Sequence, residues 1–482
     1  MFPPVTLLRD RPLQQQLYDQ VRALIQSSRL APGTRMPSTR MLADQCGVSR
    51  ITVLLTYERL IAEGYLRTIP AKGTFVHGAN PASMPDDAAV AAEPAAPGAV
   101  GRPDGRLFPA AKWRALVRGA LDHLDGLAEA QAWSEPLLRQ AIARWLSASR
   151  GVAVEPGQII LAHGRRHALH IAAHLLLRPG SRVVVEAPGD PDAEALLAGT
   201  GAVLLPVPVD GDGLRTGLLP SGPAAMALVT PEHQRPLGAV MSLERRHALL
   251  AWAAGAGAVV VTEESDAELR YRETEAPPLM GLDRDGIVVL AGDFAALLGP
   301  AVTLGYLAVP PRLADAARAV SRTMGAYEGR LEAAALAGLL DSGFYARHLQ
   351  QVRRIYQHRC DALIRALRRQ FGADTCIVGE AAGLHLAWTP PPEAGPPDMV
   401  AATARRAGLE AGCIDQLVVL LGFGTGAERQ LEACVEALAT ALTGAGPAGA
   451  GLAVPAERDR GAPLVAAGHA AAETGMVHDD RI

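Results

Sequence analysis

Basic and imidazole side chains crowd one short stretch, His163-Gly164-Arg165-Arg166-His167, directly after the apolar run Ile159-Ile160-Leu161-Ala162. Cationic groups at the start of a helix, where unbonded N–H groups also point outward, suit an anion. His163, His167, His170 and His174 recur at steps of four, three and four, which places them on one helical stripe. A metal would need carboxylate or thiolate partners at ligand spacing as well; none accompanies the stripe, so no metal is expected. A second stretch, Ser49-Arg50-Ile51-Thr52, offers two hydroxyls and a guanidinium, groups that bond phosphate oxygens or base edges. The chain contains two lysines, Lys72 and Lys112, so residues 113–482 offer no side-chain amine for imine chemistry. No catalytic residue is assigned.

These groups need elements to hold them. Leu13, Leu17, Val21, Leu24 and Ile25 recur at helical spacing, giving an amphipathic helix between Pro12 and Ser28. Pro32-Gly33 breaks it. Ser38 caps a short helix through Gln45, Gly47 closes a tight turn, and Ser49 caps a longer helix to about Glu63. Two helices so spaced form a helix-turn-helix. Tyr65-Leu66-Arg67-Thr68-Ile69 and Gly73-Thr74-Phe75-Val76 then alternate as a small hairpin, a wing with Lys72 at its tip. Residues 1–78 carry a net charge of +5 and the remainder −9, so a polyanion partner is expected for the first domain alone.

At 482 residues the chain is long enough for two or three domains. No apolar run reaches the roughly 18 residues of a membrane span, and the amino terminus lacks a signal-peptide plan, so a cytoplasmic location is expected. Cys46, Cys360, Cys376, Cys413 and Cys434 are scattered without a C-x-x-C pair, which points to free thiols. Residues 8–78 form the first domain. Residues 79–104, rich in Ala, Pro, Gly and Asp, form a flexible linker, and 444–482 a disordered tail. Between them, over 105–443, strands at Ile159–Ala162, Arg182–Glu186, Val203–Val207, Met226–Thr230, Ala258–Thr262 and Gly286–Leu290 alternate with helices, which implies an α/β domain with a mainly parallel sheet. The stretch from Val288 to Tyr306 reads as strand, tight connection, strand.

Pro37-Ser38-Thr39-Arg40, Gly47-Val48-Ser49-Arg50, Thr52-Val53, Glu63-Gly64-Tyr65-Leu66 and Gly73-Thr74-Phe75-Val76 resemble the winged helix-turn-helix of the GntR family of bacterial repressors. Ile160-Leu161-Ala162-His163-Gly164, Val185-Glu186-Ala187-Pro188-Gly189, Thr230-Pro231-Glu232-His233-Gln234, Met241–Arg246, Glu268–Tyr271 and Leu304-Gly305-Tyr306 resemble the fold type I aminotransferase domain. Together the two resemble the MocR subfamily of GntR regulators. The resemblance implies a smaller C-terminal α+β subdomain, a homodimer and double-stranded operator DNA as partner. It places Ser38, Arg40, Ser49, Arg50, Thr52, Lys72 and Gly73 towards the DNA. Ile51 stands where a polar residue is common in relatives, which leaves a thymine-methyl contact or the loss of a hydrogen bond.

The family cofactor is pyridoxal phosphate, and the resemblance locates its pocket at Gly164, Arg165, Arg166, His233, Arg235, Glu263, Ser265, Ala296 and Thr303. Several of these depart from the pattern. The Schiff-base lysine is Ala296, the following arginine is Thr303, the tyrosine is Ser265 and the ring-nitrogen aspartate is Glu263. Arg235 replaces an asparagine, Asp190 an aromatic and Leu420 an arginine that some relatives use for the substrate carboxylate. Covalent cofactor and transaminase activity are therefore not expected. The pocket is left to noncovalent pyridoxal phosphate or another small anionic effector on Arg165, Arg166 and Arg235. The alternative is a pyridoxal phosphate-dependent transferase with a DNA-binding arm; a third option is a regulator whose large domain only dimerises.

Overall fold

The computed structural model describes residues 12–77 and 100–444, apart from 28, 71, 123–129, 265, 273–275, 300–301, 326–328 and 415–417, together with Pro3 and Leu7. Most of the expected linker, the whole tail beyond 444 and Ser265 thus lie outside the described residues. The chain divides into two compact units, Met1–Ala95 and Ala96–Ile482. No helix among the described residues is long and apolar enough to cross a membrane.

In the first unit, α1 (Leu13–Gln26), α2 (Thr39–Cys46) and α3 (Arg50–Ala62) precede a hairpin of β1 (Leu66–Ile69) and β2 (Gly73–Val76). Ser38 and Ser49 accept the backbone N–H of Met41 and Thr52, and Gly47 ends α2 at φ +65°, where only glycine is unstrained. The core is the apolar stripe Leu17, Tyr18, Val21 and Leu24 of α1 packed on Leu42, Val53, Tyr57, Leu60, Leu66 and Val76. Residues 33–36 add a third edge to the wing through Gly33 N–H to Val76 O (2.9 Å) and Met36 N–H to Thr74 O (2.8 Å).

In the second unit, α4 (Ala110–Asp122) and α5 (Ala130–Arg150) lead into β3 (Ile159–Ala162), α6 (Gly164–Leu176), β4 (Arg182–Ala187), α7 (Pro191–Gly199), β5 (Val203–Asp210), β6 (Gly213–Leu214) and β7 (Met226–Val229). Then come α8 (Leu243–Ala256), β8 (Val259–Glu264), α9 (Leu279–Leu282), β9 (Val288–Asp293), α10 (Ala295–Leu298), β10 (Gly305–Ala308) and α11 (Pro311–Thr323). The sheet order is β3-β10-β9-β8-β7-β4-β5-β6. Pairings from β5 through β9 are parallel, whereas β10 is antiparallel to both β3 and β9. Val183 and Val185 pack with α6 and α11 on one face, and Val184 packs with α8 on the other. Strands covered on both faces read as continuous apolar runs, which is why they are visible in the sequence.

The chain continues through α12 (Arg330–Asp341) and α13 (Phe344–Phe371) into β11 (Cys376–Val378), β12 (His385–Thr389), α14 (Pro397–Arg406), β13 (Glu410–Ile414), β14 (Val418–Gly422) and α15 (Glu428–Gly444). These four strands form an antiparallel sheet, order β11-β12-β14-β13. This is the smaller α+β subdomain.

The strand, connection and strand read over Val288–Tyr306 are β9, a connection holding the short helix α10, and β10: the Asp293 carboxylate accepts the N–H of Ala295 (3.0 Å) and starts α10, Gly299 ends it at φ +68°, and β10 begins at Gly305. One expectation changes. Residues 100–104, assigned to the flexible linker, are instead held on the second unit. Gly101 N–H and the Arg102 side chain bond Glu410, Asp104 N–H bonds Tyr356 Oη (2.9 Å), and the Asp104 carboxylate takes Arg106 and Arg359. Burial alone would raise the Asp104 carboxyl; the two guanidiniums outweigh it and bring it down to about 2. Replacing Asp104 with Ala leaves Arg359 buried without its counter-charge and is expected to cost about 3 kcal/mol, read as a lower urea midpoint at neutral pH.

Candidate functional site

The carboxyl ends of β3, β4, β7, β8 and β9 converge on the turn that opens α6, the crevice where sheets of this kind hold ligands. Gly164 begins α6 at φ +73°, and a Cβ on Gly305 would lie 2.5 Å from its carbonyl carbon. That close approach explains the glycine of Leu304-Gly305-Tyr306 and fixes the turn against β10.

Arg165 turns inward from the first turn of α6. Its guanidinium donates to Glu263 at the end of β8, with Asp190 at 3.5 Å and Asp293 at 4.0 Å. Glu263 is almost fully buried and Asp293 nearly so. Burial alone would lower the Arg165 pKa, yet Glu263, Asp293 and Asp190 hold it well above the ordinary range, so the guanidinium is permanently charged. Asp190, expected only as a lost aromatic, also caps α7 by accepting the N–H of Asp192 and Ala193. Aspartate before proline at the first helical position is the signal that could have shown this.

The other expected residues divide. Arg166 points outward and pairs with Asp192, both more than half exposed. Thr303 donates its N–H to Glu332 (2.6 Å) and is exposed. Ala296 is buried on α10 within the cluster that includes Phe294, Leu297 and Tyr306. His233 places Nδ1 3.0 Å from the Asp266 carboxylate, with its ring edge-on to His385 at 4.9 Å. Arg235 N–H donates to Thr230 Oγ1 (3.1 Å), and its charge acts on Asp190 and Asp266. Burial would raise Asp266; His233 beside it more than offsets this and holds its carboxyl well below the usual range. Burial pushes His385 down to about 3, so that ring is neutral.

The expected anion cradle is altered as well. His163 N–H, at the cap of α6, donates to His167 Nδ1 (3.1 Å), and the two rings stack 5.4 Å apart. Burial lowers the His167 pKa, which keeps this nitrogen an acceptor. One member of the histidine stripe, His167, is therefore spent on the backbone at the cap of its own helix. Among the described residues no group of three or more His, Cys, Asp or Glu is arranged to hold a metal ion.

On the first unit, Arg40, Ser49, Arg50 and Lys72 are exposed, and Ser38 and Ser49 serve as helix caps. Arg50 Nε bonds Thr39 Oγ1 (3.3 Å), linking α3 to α2. Gly73 has φ +110°, and the Arg35 guanidinium lies over it, 3.3 Å from where a Cβ would sit. Arg35 was missed because its place on the wing depends on the third edge formed by residues 33–36.

The comparisons agree with both units. Residues 13–76 match the family model of bacterial regulatory proteins, gntR family, and residues 100–406 that of aminotransferase class I and II. Over 408 residues the chain is 35% identical to the probable rhizopine catabolism regulatory protein MocR of Rhizobium meliloti, covering 78% of this chain and 81% of that one. It is also 35% identical over 350 residues to the pyridoxine biosynthesis transcriptional regulator PdxR of Corynebacterium glutamicum, covering 71% and 76%. The chain belongs to the MocR-type GntR regulators. Its large unit shares the fold of an archaeal alanine:glyoxylate aminotransferase (TM-score 0.65, 21% identity, 72% of this chain and 90% of that one). A kynurenine aminotransferase of Pyrococcus horikoshii is similar at TM-score 0.64 and 20% identity, with the same coverage.

Pyridoxal phosphate is the cofactor of that fold family, and the residues of this MocR-type chain do not fit it. The Glu263 carboxylate, which the resemblance assigns to the ring nitrogen, already holds the Arg165 guanidinium. No lysine follows Lys112 in the sequence.

Beneath this pair, Glu186 at the end of β4 is wholly buried and accepts from Thr230 N–H, Thr230 Oγ1 and Gln234 Nε2 at 3.2, 2.5 and 3.2 Å. Burial outweighs those donors and, with Glu263 nearby, pushes its carboxyl up to about 7 from 4.5. As pH rises the unfolded chain loses this proton first. The contribution of this group to stability is therefore full below about pH 4.5 and falls by up to roughly 3 kcal/mol as pH passes through 7. Glu186→Gln is expected to remove that slope, measured as denaturant midpoints at pH 5.5 and 8.

Proposed function

We propose that this MocR-type regulator is a homodimer that binds operator DNA through Ser38, Arg40, Ser49, Arg50, Thr52, Lys72 and Gly73, in the cytoplasm. Its large unit senses an effector and dimerises without transaminase activity. The observation that carries the second statement is the Arg165–Glu263 pair: the chain's own guanidinium holds the carboxylate that would hold a pyridinium. Ala296, matching the lysine position of the family, adds that no amine is available there.

The same pair shapes effector recognition. Arg165 is countered by Glu263, Asp190 and Asp293, and Arg166 by Asp192. A carboxylate or phosphate ligand would enter by drawing Arg165 off Glu263, with Arg235 as the second cation. Such an exchange gives the pocket two arrangements whose populations a ligand shifts. A dimer would place two winged helices over a repeated half-site.

Operator duplexes selected from a random pool should be retarded by the full chain, and Arg50→Ala should weaken retardation at least tenfold; unchanged affinity would count against this interface. Pyridoxal phosphate added to wild type, or to an Ala296→Lys variant with a wild-type circular dichroism spectrum, should show no visible band beyond that of the free cofactor. A new band in the single variant would show the pocket to be open, contrary to the role given to Arg165.

A further inference from the structure

The side of α3 that faces away from the core is apolar where a base-reading helix would carry polar groups. Ile51 is 68% exposed, Leu54 45% and Leu55 42%, while Val53, Thr56, Tyr57 and Leu60 are buried on the opposite side. Spacings of three and four put the exposed trio on one face. Of nine exposed large hydrophobics among the described residues, these three and Met41 (51%) lie on the helix-turn-helix. Single exposed apolar side chains are ordinary, but a contiguous face of them on a 13-residue helix marks a contact surface.

The polar groups of the same motif are engaged elsewhere. Ser49 Oγ accepts Thr52 N–H (3.1 Å) and pairs with Thr52 Oγ1 (2.8 Å), while Arg50 is tied to Thr39. These bonds cap and brace the helix, and the exposed Arg50 guanidinium is left to bond phosphate oxygens, as proposed above. What remains to meet base edges on the amino-terminal two turns is hydrocarbon, in a domain, residues 1–78, of net charge +5 on which the cations Arg40, Arg50 and Lys72 are exposed. Glu58 continues the face at its carboxyl end, away from the turn that enters the groove first.

Hydrocarbon discriminates one base in the major groove, since thymine alone presents a methyl group there. Resting on the DNA-binding assignment above, we propose that Ile51, Leu54 and Leu55 form an apolar reading edge that selects thymine by its C5-methyl. Ile51 and Leu55 are separated by about 6 Å along the helix axis, roughly two base steps, so the half-site carries thymines at two or more neighbouring positions.

The test uses the full chain and a duplex selected from a random pool, with thymines of the half-site replaced singly by deoxyuridine. Base pairing is retained and only the methyl is lost. Affinity is expected to fall roughly fourfold for each contacted methyl. Leu55→Ala should lose about as much on the thymine duplex and show no further loss on the matching deoxyuridine duplex, with the salt dependence unchanged because no phosphate contact is removed. If no duplex is retarded, the DNA-binding assignment itself fails. If the thymine and deoxyuridine duplexes bind alike, binding stands and methyl readout is overturned. If Leu55→Ala changes the oligomeric state and leaves affinity for either duplex unaltered, the face belongs to a second copy of the chain and the proposal is likewise overturned.

Discussion

A guanidinium set among three carboxylates at the carboxyl end of the large sheet governs the chemistry of this protein. Arg165 comes from the first turn of α6, Glu263 from β8, Asp190 from the cap of α7 and Asp293 from the end of β9. One side chain thereby ties together four elements that the sheet order brings side by side. Removing the cation would leave buried carboxylates facing one another, so the pair is demanded by its surroundings as well as permitted by them. The crevice belongs to the aminotransferase fold, and its inward cation is countered by the chain's own carboxylates.

A second layer of buried charge supports it from behind. Arg246 is fully buried, bonded to Glu232 (2.6 Å) and to the carbonyls of Pro231, Met241 and Pro277. Arg150 meets Glu264 at 2.7 Å, on the residue next to Glu263. Glu268 takes Trp145 Nε1 and Tyr345 Oη. These contacts hold the ends of β7 and β8 and the segment after them, so Glu263 has little freedom to move toward or away from Arg165. Charges of this kind add specificity of arrangement more than stability, because their desolvation offsets much of their attraction.

The first unit follows a different economy of parts. Its fold rests on two serine caps, a glycine turn and one apolar stripe, all local features. The hydroxyls that resemble base readers are consumed in those caps. The exposed face of α3 then falls to Ile51, Leu54 and Leu55, with the cations Arg40, Arg50 and Lys72 exposed on the same unit. In the proposed interface, affinity and discrimination would be carried by different residues.

Amino-acid order alone determined the helix caps at Ser38 and Ser49, the wing, the doubly covered strands, the family of both units and the lack of an amine beyond Lys112. Each is written within a few residues, as a period, a cap or a composition. The destination of Arg165 was not legible, because its partner Glu263 lies 98 positions away and is reached only through the order of strands in the sheet. For the same reason the sequence assigned Asp190 to a loss, Arg165 and Arg166 to one shared task, and residues 100–104 to a tether. Tertiary structure decided these. It set which charges face each other in a medium too dry to leave them alone, and which apolar side chains had no core left to enter.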